Sequence, residues 1–518
     1  MPHTLNQASY DQLPYQNCIV PQTHPDHLAT LGILHGMTPP APEKCRILEL
    51  GCADGANLIA MAQALPQCEL LGIDFSSVAI AQGRKIIESV GLTNITLCHD
   101  DIQEVDFGSA QFDYIIVHGI YSWVAAPVRQ RIFQICKKHL SAHGIVFLSY
   151  NTLPGWTETR AFRDMALYHV RSLKDAPARV AQAKTFLQFL SKSWSDTGAT
   201  HYLALKNFCD SLRQTPDFYL GHDVLEVVNE PVYFHEFESQ AAHHGLQFLS
   251  EAVSLKNISD LPGDIAAGIR ENAQGDWIQM EQYFDFVTDR MFRCSLLCHD
   301  KVVLQREIKA DRMCLLHVGT KCRPQSKSPD INSKKEEFFS CGEGVACSIQ
   351  EPIGKAAMLY LSEMNPRSVP FSVLLLEARH RLQKSLSSPE DDAEVLTHEL
   401  LKMHRQNIDF VKLQTSPREI HPPGDKPVAS PLVRFMAERY ETVVNLRQEH
   451  ITMGRLNRHL VGLLDGSRDR ATLKTDLEKW IREGGLGPPD SDKSIRAGIE
   501  ENLESTLHAM AAQSLFMN

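Results

Sequence analysis

No run in this chain of 518 residues is long and apolar enough to cross a bilayer as a helix. The first residues, Met1 to Gln16, lack the basic and apolar regions of a signal peptide, so a cytoplasmic location is expected. The 13 cysteines are scattered and odd in number, which suits reduced thiols, and they include no C-x-x-C pair, which argues against a structural zinc site. The grouped Cys294, Cys298, His299, Cys314, His317 and Cys322 read as core thiols on strands, and Glu230, His235, His243 and His244 as a loop and helix surface. No metal is expected. Basic charge is also short: 52 Lys and Arg against 63 Asp and Glu leave a formal charge of -11, which excludes broad nucleic-acid binding. A G-x-G-x-x-G fingerprint is absent as well, which counts against a dinucleotide cradle.

What is present centres on the stretch Cys45 to Asn57, CRILELGCADGAN. An apolar run, Ile47 to Leu50, predicts a buried strand. Gly51 and Gly55 predict a turn, and Leu58 to Leu65 a helix stopped by Pro66. Strand, glycine turn and helix make a nucleotide cradle, because backbone approaches a ligand most closely where Cβ is missing. A second strand, Glu69 to Ile73, ends in Asp74, where a carboxylate grips a ribose. Glu49 and Asp54 bracket the turn; they would repel a pyrophosphate but suit a ligand carrying an ammonium and a sulfonium. Three further strands, Ile95 to Cys98, Phe112 to Val117 and Ile145 to Ser149, complete five βα units. Their tips carry His118 to Trp123 and Tyr150 to Trp156, at the end of the sheet where open α/β folds place chemistry.

The Cys45 to Asn57 stretch resembles motif I, E-x-G-x-G-x-G, of the class I S-adenosylmethionine-dependent methyltransferases, with Ala53 at the middle glycine. Further segments, Tyr10 to Tyr15, Thr23 to Leu28, His118 to Trp123, Tyr150 to Trp156, Gly221 to Glu226, Asn229 to His235 and His244 to Leu249, are similar to bacterial methyltransferases that carry a regulatory domain. That group includes the rickettsial outer-membrane-protein lysine methyltransferases. The resemblance implies S-adenosylmethionine as cofactor. It implies contacts from Glu49, Gly51, Cys52, Asp54, Gly55 and Asn57 in the cradle, and from Asp74, Phe75 and Ser76 at the second tip. Asp101 and Ile102 would read the adenine, His118 and Gly119 would flank the site, and Tyr15 and His24 would close over it as part of an N-terminal lid.

The fold expected is α/β: a Rossmann-like methyltransferase domain with its lid over residues 1–165, then a helical and regulatory middle domain over 166–320. A linker at 321–350, a helical region at 351–415, a second linker at 416–430 and a winged-helix-like module at 431–518 follow. Within the middle domain, Asp285 to Leu304 reads as a hairpin broken at His299-Asp-Lys301.

Methyl transfer from a sulfonium is an in-line displacement, so the enzyme chiefly aligns nucleophile, carbon and sulfur. A lysine amine, with an ordinary pKa of about 10.4, becomes a nucleophile at neutral pH only if burial disfavours its charge. Tyr121, Trp123, Tyr150 and Trp156 are the rings expected to form such a slot, with Tyr121, Tyr150 and Asn151 orienting the amine. His118 is open to two readings, as a base for a hydroxyl or carboxyl acceptor or as a cofactor contact. The large additional domains favour a protein acceptor. A small-molecule N- or O-methyltransferase and a non-catalytic cofactor-binding adaptor are the alternatives, and a homodimer is left open.

Overall fold

The computed structural model describes residues 19–195, 200–253, 258–342, 345–382, 388–407, 409–417, 420–485 and 492–517. Tyr15, expected in the lid, lies outside the described residues. Among the described residues no helix is long and apolar enough to cross a membrane.

The first strand, β1 (Arg46–Leu50), is buried from Ile47 onward and pairs in parallel with β2 (Glu69–Asp74) on one side and β4 (Phe112–Val117) on the other. Beyond β2 lies β3 (Ile95–His99), and beyond β4 lies β5 (Leu140–Asn151), both also parallel. Side chains alternate between two cores: Ile47, Ile116 and Phe147 face one, whereas Leu48, Ile115 and Leu148 face the other. Such continuous apolar strands are what a parallel sheet covered on both faces demands. The chain order reverses between β1 and β4, which opens the crevice at their C-terminal ends.

Four helices frame these strands: α1 (Pro25–Leu34), α2 (Ala56–Ala64), α3 (Ser77–Val90) and α4 (Ala126–His139). A serine caps α3 and a glycine stops it. Ser76 Oγ accepts from Ala79 N at 3.2 Å, and Gly91 ends the helix with φ 72°.

The sheet has seven strands, in the order β3-β2-β1-β4-β5-β7-β6. Its last two, β6 (Leu246–Glu251) and β7 (Phe292–His299), come from residues expected in the middle domain. The expected hairpin at Asp285 to Leu304 is therefore corrected. Phe292–His299 is one strand, antiparallel to β5 and to β6, and the polar break merely ends it. Its interior positions are buried on both faces because a core covers each: Cys294, Leu296 and Cys298 enter one, and Leu297 the other.

Between β5 and β6 the chain forms α5 (Trp156–Val170), α6 (Ala176–Ser195), α7 (Thr200–Gln214), one π turn (Leu220–Val224) and α8 (Phe234–His243). The helices α5 and α6 enclose a small core of their own around Phe162, Val170, Leu187 and Leu220. In contrast, α8 returns to the sheet through Phe234, Phe237 and Ala241.

Residues 321–350, expected as a linker, carry a three-stranded antiparallel sheet of Arg323–Pro324, Glu337–Gly342 and Val345–Ile349. Pro324 lies in the first of these strands, and the polar stretch from Ser326 to Lys335 makes the turns that lead to Glu337. Phe339 and Cys347 enter a separate core with the helices Pro352–Met364, Phe371–Arg381 and Pro389–Gln406. The last unit holds Pro431–Arg439, a hairpin of Thr442–Val444 and His450–Thr452, and the helices Arg455–Leu463, Arg470–Arg482 and Asp492–Ala512.

Candidate active site

The turn after β1 is built from alternating left-handed residues: Gly51 (φ 73°), Ala53 (φ 50°) and Gly55 (φ 75°). Gly51 is required twice over, since a Cβ there would also lie 2.5 Å from Ile120 Cγ2. Gly51 N and Cys52 N both donate to Ile73 O, at 2.8 and 3.1 Å, which closes the turn over the tip of β2. Asp74 completes it: Oδ2 accepts from Ala53 N at 2.7 Å and Oδ1 from Ser76 N at 2.8 Å. Burial raises the Asp74 carboxyl above the usual range, and these N–H bonds oppose the rise. Asp54 Oδ1 accepts from Ala56 N at 3.0 Å, at the start of α2. Cys52 is a buried thiol pushed up by burial.

Glu49 is the buried acid of the cradle. Its Oε1 accepts from Asn57 Nδ2 at 3.1 Å, while its Oε2 has no partner among the described residues. Burial lifts the carboxyl to about 8, opposed by the Asn57 bond and assisted by Asp74 and Asp54. A buried acceptor without a donor is expensive, and a ligand cation is a group that would satisfy it.

Around the cradle, Phe75 stands 43 % exposed, its ring 6.3 Å from that of His99. Asp101 Oδ1 accepts from Gln103 N at 2.9 Å and thereby shapes the loop after β3, while Ile102 packs on the core. The N-terminal segment is tied to the cradle by Thr23, whose Oγ1 accepts from Asn57 Nδ2 at 3.0 Å, and by Val20 N, which donates to Asn57 Oδ1 at 3.1 Å. His24, expected as the lid contact, uses Nδ1 to cap α1 by accepting from Asp26 N at 3.2 Å, and burial lowers it to about 4.

At the tips of β4 and β5, Ser149 Oγ accepts from Gly119 N at 2.9 Å and meets His118 Nδ1 at 3.0 Å. Burial lowers His118 to about 4, so it is neutral and weakly basic at pH 7. Asn151 N donates to Ser122 Oγ at 2.9 Å, and Asn151 Nδ2 to Asn229 Oδ1 at 3.2 Å. Asn229 arrives because the segment Asn229 to Tyr233 lies along the tip of β5. Val232 N donates to Asn151 O and Leu153 N to Val232 O, both at 3.1 Å. Trp123 and Trp156 meet edge to face at 6.1 Å.

Tyr121 and Tyr150 are a correction. Both are fully buried, at 0 % and 1 %, in the core beneath α4 and α8 rather than in an open slot. Tyr150 stacks on Phe237 at 4.0 Å, and Tyr121 packs edge-on to Phe133 and Phe237. Their hydroxyls are occupied, Tyr121 Oη donating to Gln240 Oε1 at 3.1 Å and Tyr150 Oη bonding Ser295 Oγ at 3.0 Å. The reason is the period of the strand: Tyr150 shares the face of Val146 and Leu148, and Asn151 takes the opposite one. Sequence reading also missed Gly83, where a Cβ would fall 2.0 Å from Asp54 O. Asn229, read only as part of a group-specific segment, had no role assigned, although its Nδ2 is buried without a partner among the described residues.

The chain is similar to known proteins over its whole length. Family models match residues 47–144 as a methyltransferase domain, 216–299 as a predicted methyltransferase regulatory domain and 425–515 as a PKMT C-terminal winged helix domain. An uncharacterised protein of Rickettsia prowazekii (strain Madrid E) is 32% identical over 512 residues, 97% of this chain and 91% of that protein. The solved structure of PKMT2 from Rickettsia typhi is 26% identical, with a TM-score of 0.83 over 98% of this chain and 100% of that one. The same protein in complex with AdoHcy gives a TM-score of 0.84. The malonyl-[acyl-carrier protein] O-methyltransferase of Bacillus cereus is 32% identical, over only 20% of this chain and 36% of that protein. The chain belongs to the class I methyltransferases that use S-adenosylmethionine and carry a methyltransferase regulatory domain, the group that includes the rickettsial PKMT proteins.

Proposed function

We propose that this methyltransferase acts on lysine amines of a protein acceptor by in-line displacement. The observation that carries the reading is the acceptor side of the strand tips. There the regulatory segment lays Asn229 against Asn151, on strand tips that also carry the Trp123 and Trp156 pair and a histidine too weakly basic to activate a hydroxyl. Asn229 takes one of the two Asn151 N–H groups, and the Asn151 oxygen accepts no side-chain bond from it, which leaves an acceptor for an amine N–H. Whole-length similarity to PKMT2 supports the same class of acceptor.

In this reading Glu49 faces the ammonium of the cofactor, Asp74 the ribose hydroxyls, and Phe75, Asp101 and Ile102 the adenine. The Gly51 to Gly55 turn supplies close backbone, and His118 and Gly119 border the reacting end. Bound S-adenosylmethionine supplies an electrophilic methyl carbon. The chain's own work is to desolvate the amine, so that less of it is protonated, and to hold its lone pair toward that carbon. The test is transfer of isotopically labelled methyl from S-adenosylmethionine into proteins of a cell extract, followed by mass spectrometry of the labelled side chains. Methylated lysine is expected; label confined to carboxylates, or to small molecules alone, overturns the lysine reading.

A further inference from the structure

Asn57, the cradle residue that bonds Glu49, is also bonded by a residue 391 positions along the chain. Gln448 sits in the turn between Thr442–Val444 and His450–Thr452, fully buried and with a left-handed backbone (φ 57°). Its Nε2 donates to Asn57 O at 3.2 Å and to Asn57 Oδ1 at 3.3 Å. Val20 N donates to that same Oδ1 at 3.1 Å. With donors on its oxygen, the Asn57 amide must turn its NH2 the other way, toward Glu49 Oε1 and Thr23 Oγ1. Were the amide flipped, its oxygen would replace the N–H that Glu49 Oε1 accepts, and that bond would be lost.

The turn that delivers Gln448 is itself stiff. Asn445 Nδ2 donates to Glu449 Oε2 at 2.9 Å and to Gln513 O at 2.7 Å, and Arg447 Nη2 donates to Glu449 Oε2 at 2.8 Å. Gln448 Oε1 nonetheless has no partner among the described residues. A half-satisfied buried amide is poor interface packing, since an apolar side chain there would carry no desolvation cost. Orientation of Asn57 accounts for what packing does not.

We propose that Gln448 is a positioning residue of the cofactor site: by fixing the Asn57 amide, the C-terminal winged helix orients Glu49 toward the S-adenosylmethionine ammonium. The proposal rests on the reading of Glu49 given above. Cofactor affinity is thereby tied to a residue that does not touch the cofactor and belongs to the last domain.

The test is calorimetric titration of S-adenosylmethionine into the full chain at several pH values between 6.5 and 8.5, for three variants. Gln448→Met keeps the length and deletes the donor, with Gln448→Leu as its substitute should the first variant be unstable. Gln63→Met cuts a different contact of the same domain with α2, in which Gln63 bonds Ser430 Oγ and accepts from Leu432 N at 3.0 Å. Glu49→Gln removes the charge. Losing one oriented hydrogen bond should weaken binding at Gln448→Met by about three- to tenfold. It should also move the pH dependence of affinity upward, because Asn57 no longer opposes the effects of burial, Asp74 and Asp54 on Glu49. Gln63→Met should keep parental affinity and pH dependence even if it melts earlier. Parental binding by Gln448→Met, or equal losses in both glutamine variants, overturns the relay. Unchanged affinity in Glu49→Gln overturns the site reading, and the relay with it.

Discussion

Arg293 and Asp285 meet side-on in two hydrogen bonds, Nε to Oδ2 at 2.9 Å and Nη2 to Oδ1 at 2.8 Å, with neither side chain exposed to solvent. Glu251 takes Nη1 at 2.8 Å, and the guanidinium lies 4.0 Å from the centroid of the Phe234 ring. This group pins β7 against β6 and the helix Trp277–Thr288. Replacing Arg293 by Met removes both bonds to the buried Asp285 and leaves it only Arg290, at 3.9 Å, which costs about 3–5 kcal/mol as for a broken buried pair. The unfolding midpoint of Arg293→Met in urea should fall accordingly.

Tyr150 is joined to the same network through Ser295, whose Oγ donates to Glu251 Oε1 at 2.8 Å. Tyr121→Phe and Tyr150→Phe should therefore cost about 1 kcal/mol of stability each, as for one neutral hydrogen bond. Turnover under saturating cofactor should stay within about threefold of the parent, far below the loss expected for a group acting in the transition state. Asn151→Ala should be the variant that loses turnover while cofactor affinity is retained.

Asp74 holds the cradle through two backbone N–H groups, and in the proposed reading its other lone pairs face ribose hydroxyls. Asp74→Ala should weaken S-adenosylmethionine by about 2–4 kcal/mol, since charge-assisted bonds are lost. Calorimetry decides it: unchanged affinity would remove Asp74 from the site.

In the turn before it, Ala53 already occupies a left-handed conformation. Relief of that strain and the greater freedom of unfolded glycine oppose each other, so Ala53→Gly should change stability by less than about 1 kcal/mol. Gly51→Ala should cost more than about 2 kcal/mol, from φ and from the overlap with Ile120. Thermal unfolding of Gly51→Ala with and without Ile120→Ala separates the two causes, since the second substitution relieves only the overlap.

Stability should peak near neutral pH. His24, His118 and His404 are each lowered to about 4 by burial, and His27 and His35 are lowered too. Their folded forms resist a proton that the unfolded chain accepts near pH 6.5, so stability falls as pH drops from there toward 4. Glu49 and Asp223 work in the opposite sense, raised by burial to about 8 and about 7. Their folded forms retain a proton that the unfolded chain loses from about pH 4.5 upward; the more numerous histidines outweigh this loss below pH 6.5, and above it the decline continues alone up to about 8. Urea midpoints at pH 5, 6.5 and 8 without cofactor should show the maximum in the middle; a monotonic trend would contradict it.

The parallel half of the fold was legible because its signals are local. Ile47 to Leu50, the glycine turn, Ser76 and Gly91 each mark a boundary within a few residues of where the chain makes it. The resemblance to motif I likewise needed only contiguous sequence. What escaped is set by partners far along the chain. Nothing near Phe292 says that its strand pairs with β5, and nothing near Gln448 points to Asn57. The tyrosines misled for a different reason: a strand tip bunches polar and aromatic residues, but only register decides which face α8 covers.

The placement of β7 bears on how the chain is made. When β5 leaves the ribosome its outer edge has no strand beside it, because its neighbour is Phe292–His299 and residues 152–291 come between. At synthesis rates of about 5–20 residues per second, that interval lasts on the order of ten seconds. Throughout it, an apolar edge running through Val146, Phe147 and Leu148 stands open to any other extended segment. The helices α5, α6 and α7 emerge during this wait, and their local contacts let them form before the long-range pairing can close. Truncation before β7 would make the open edge permanent, so a fragment comprising the cofactor motifs alone should aggregate unless a strand is supplied to it.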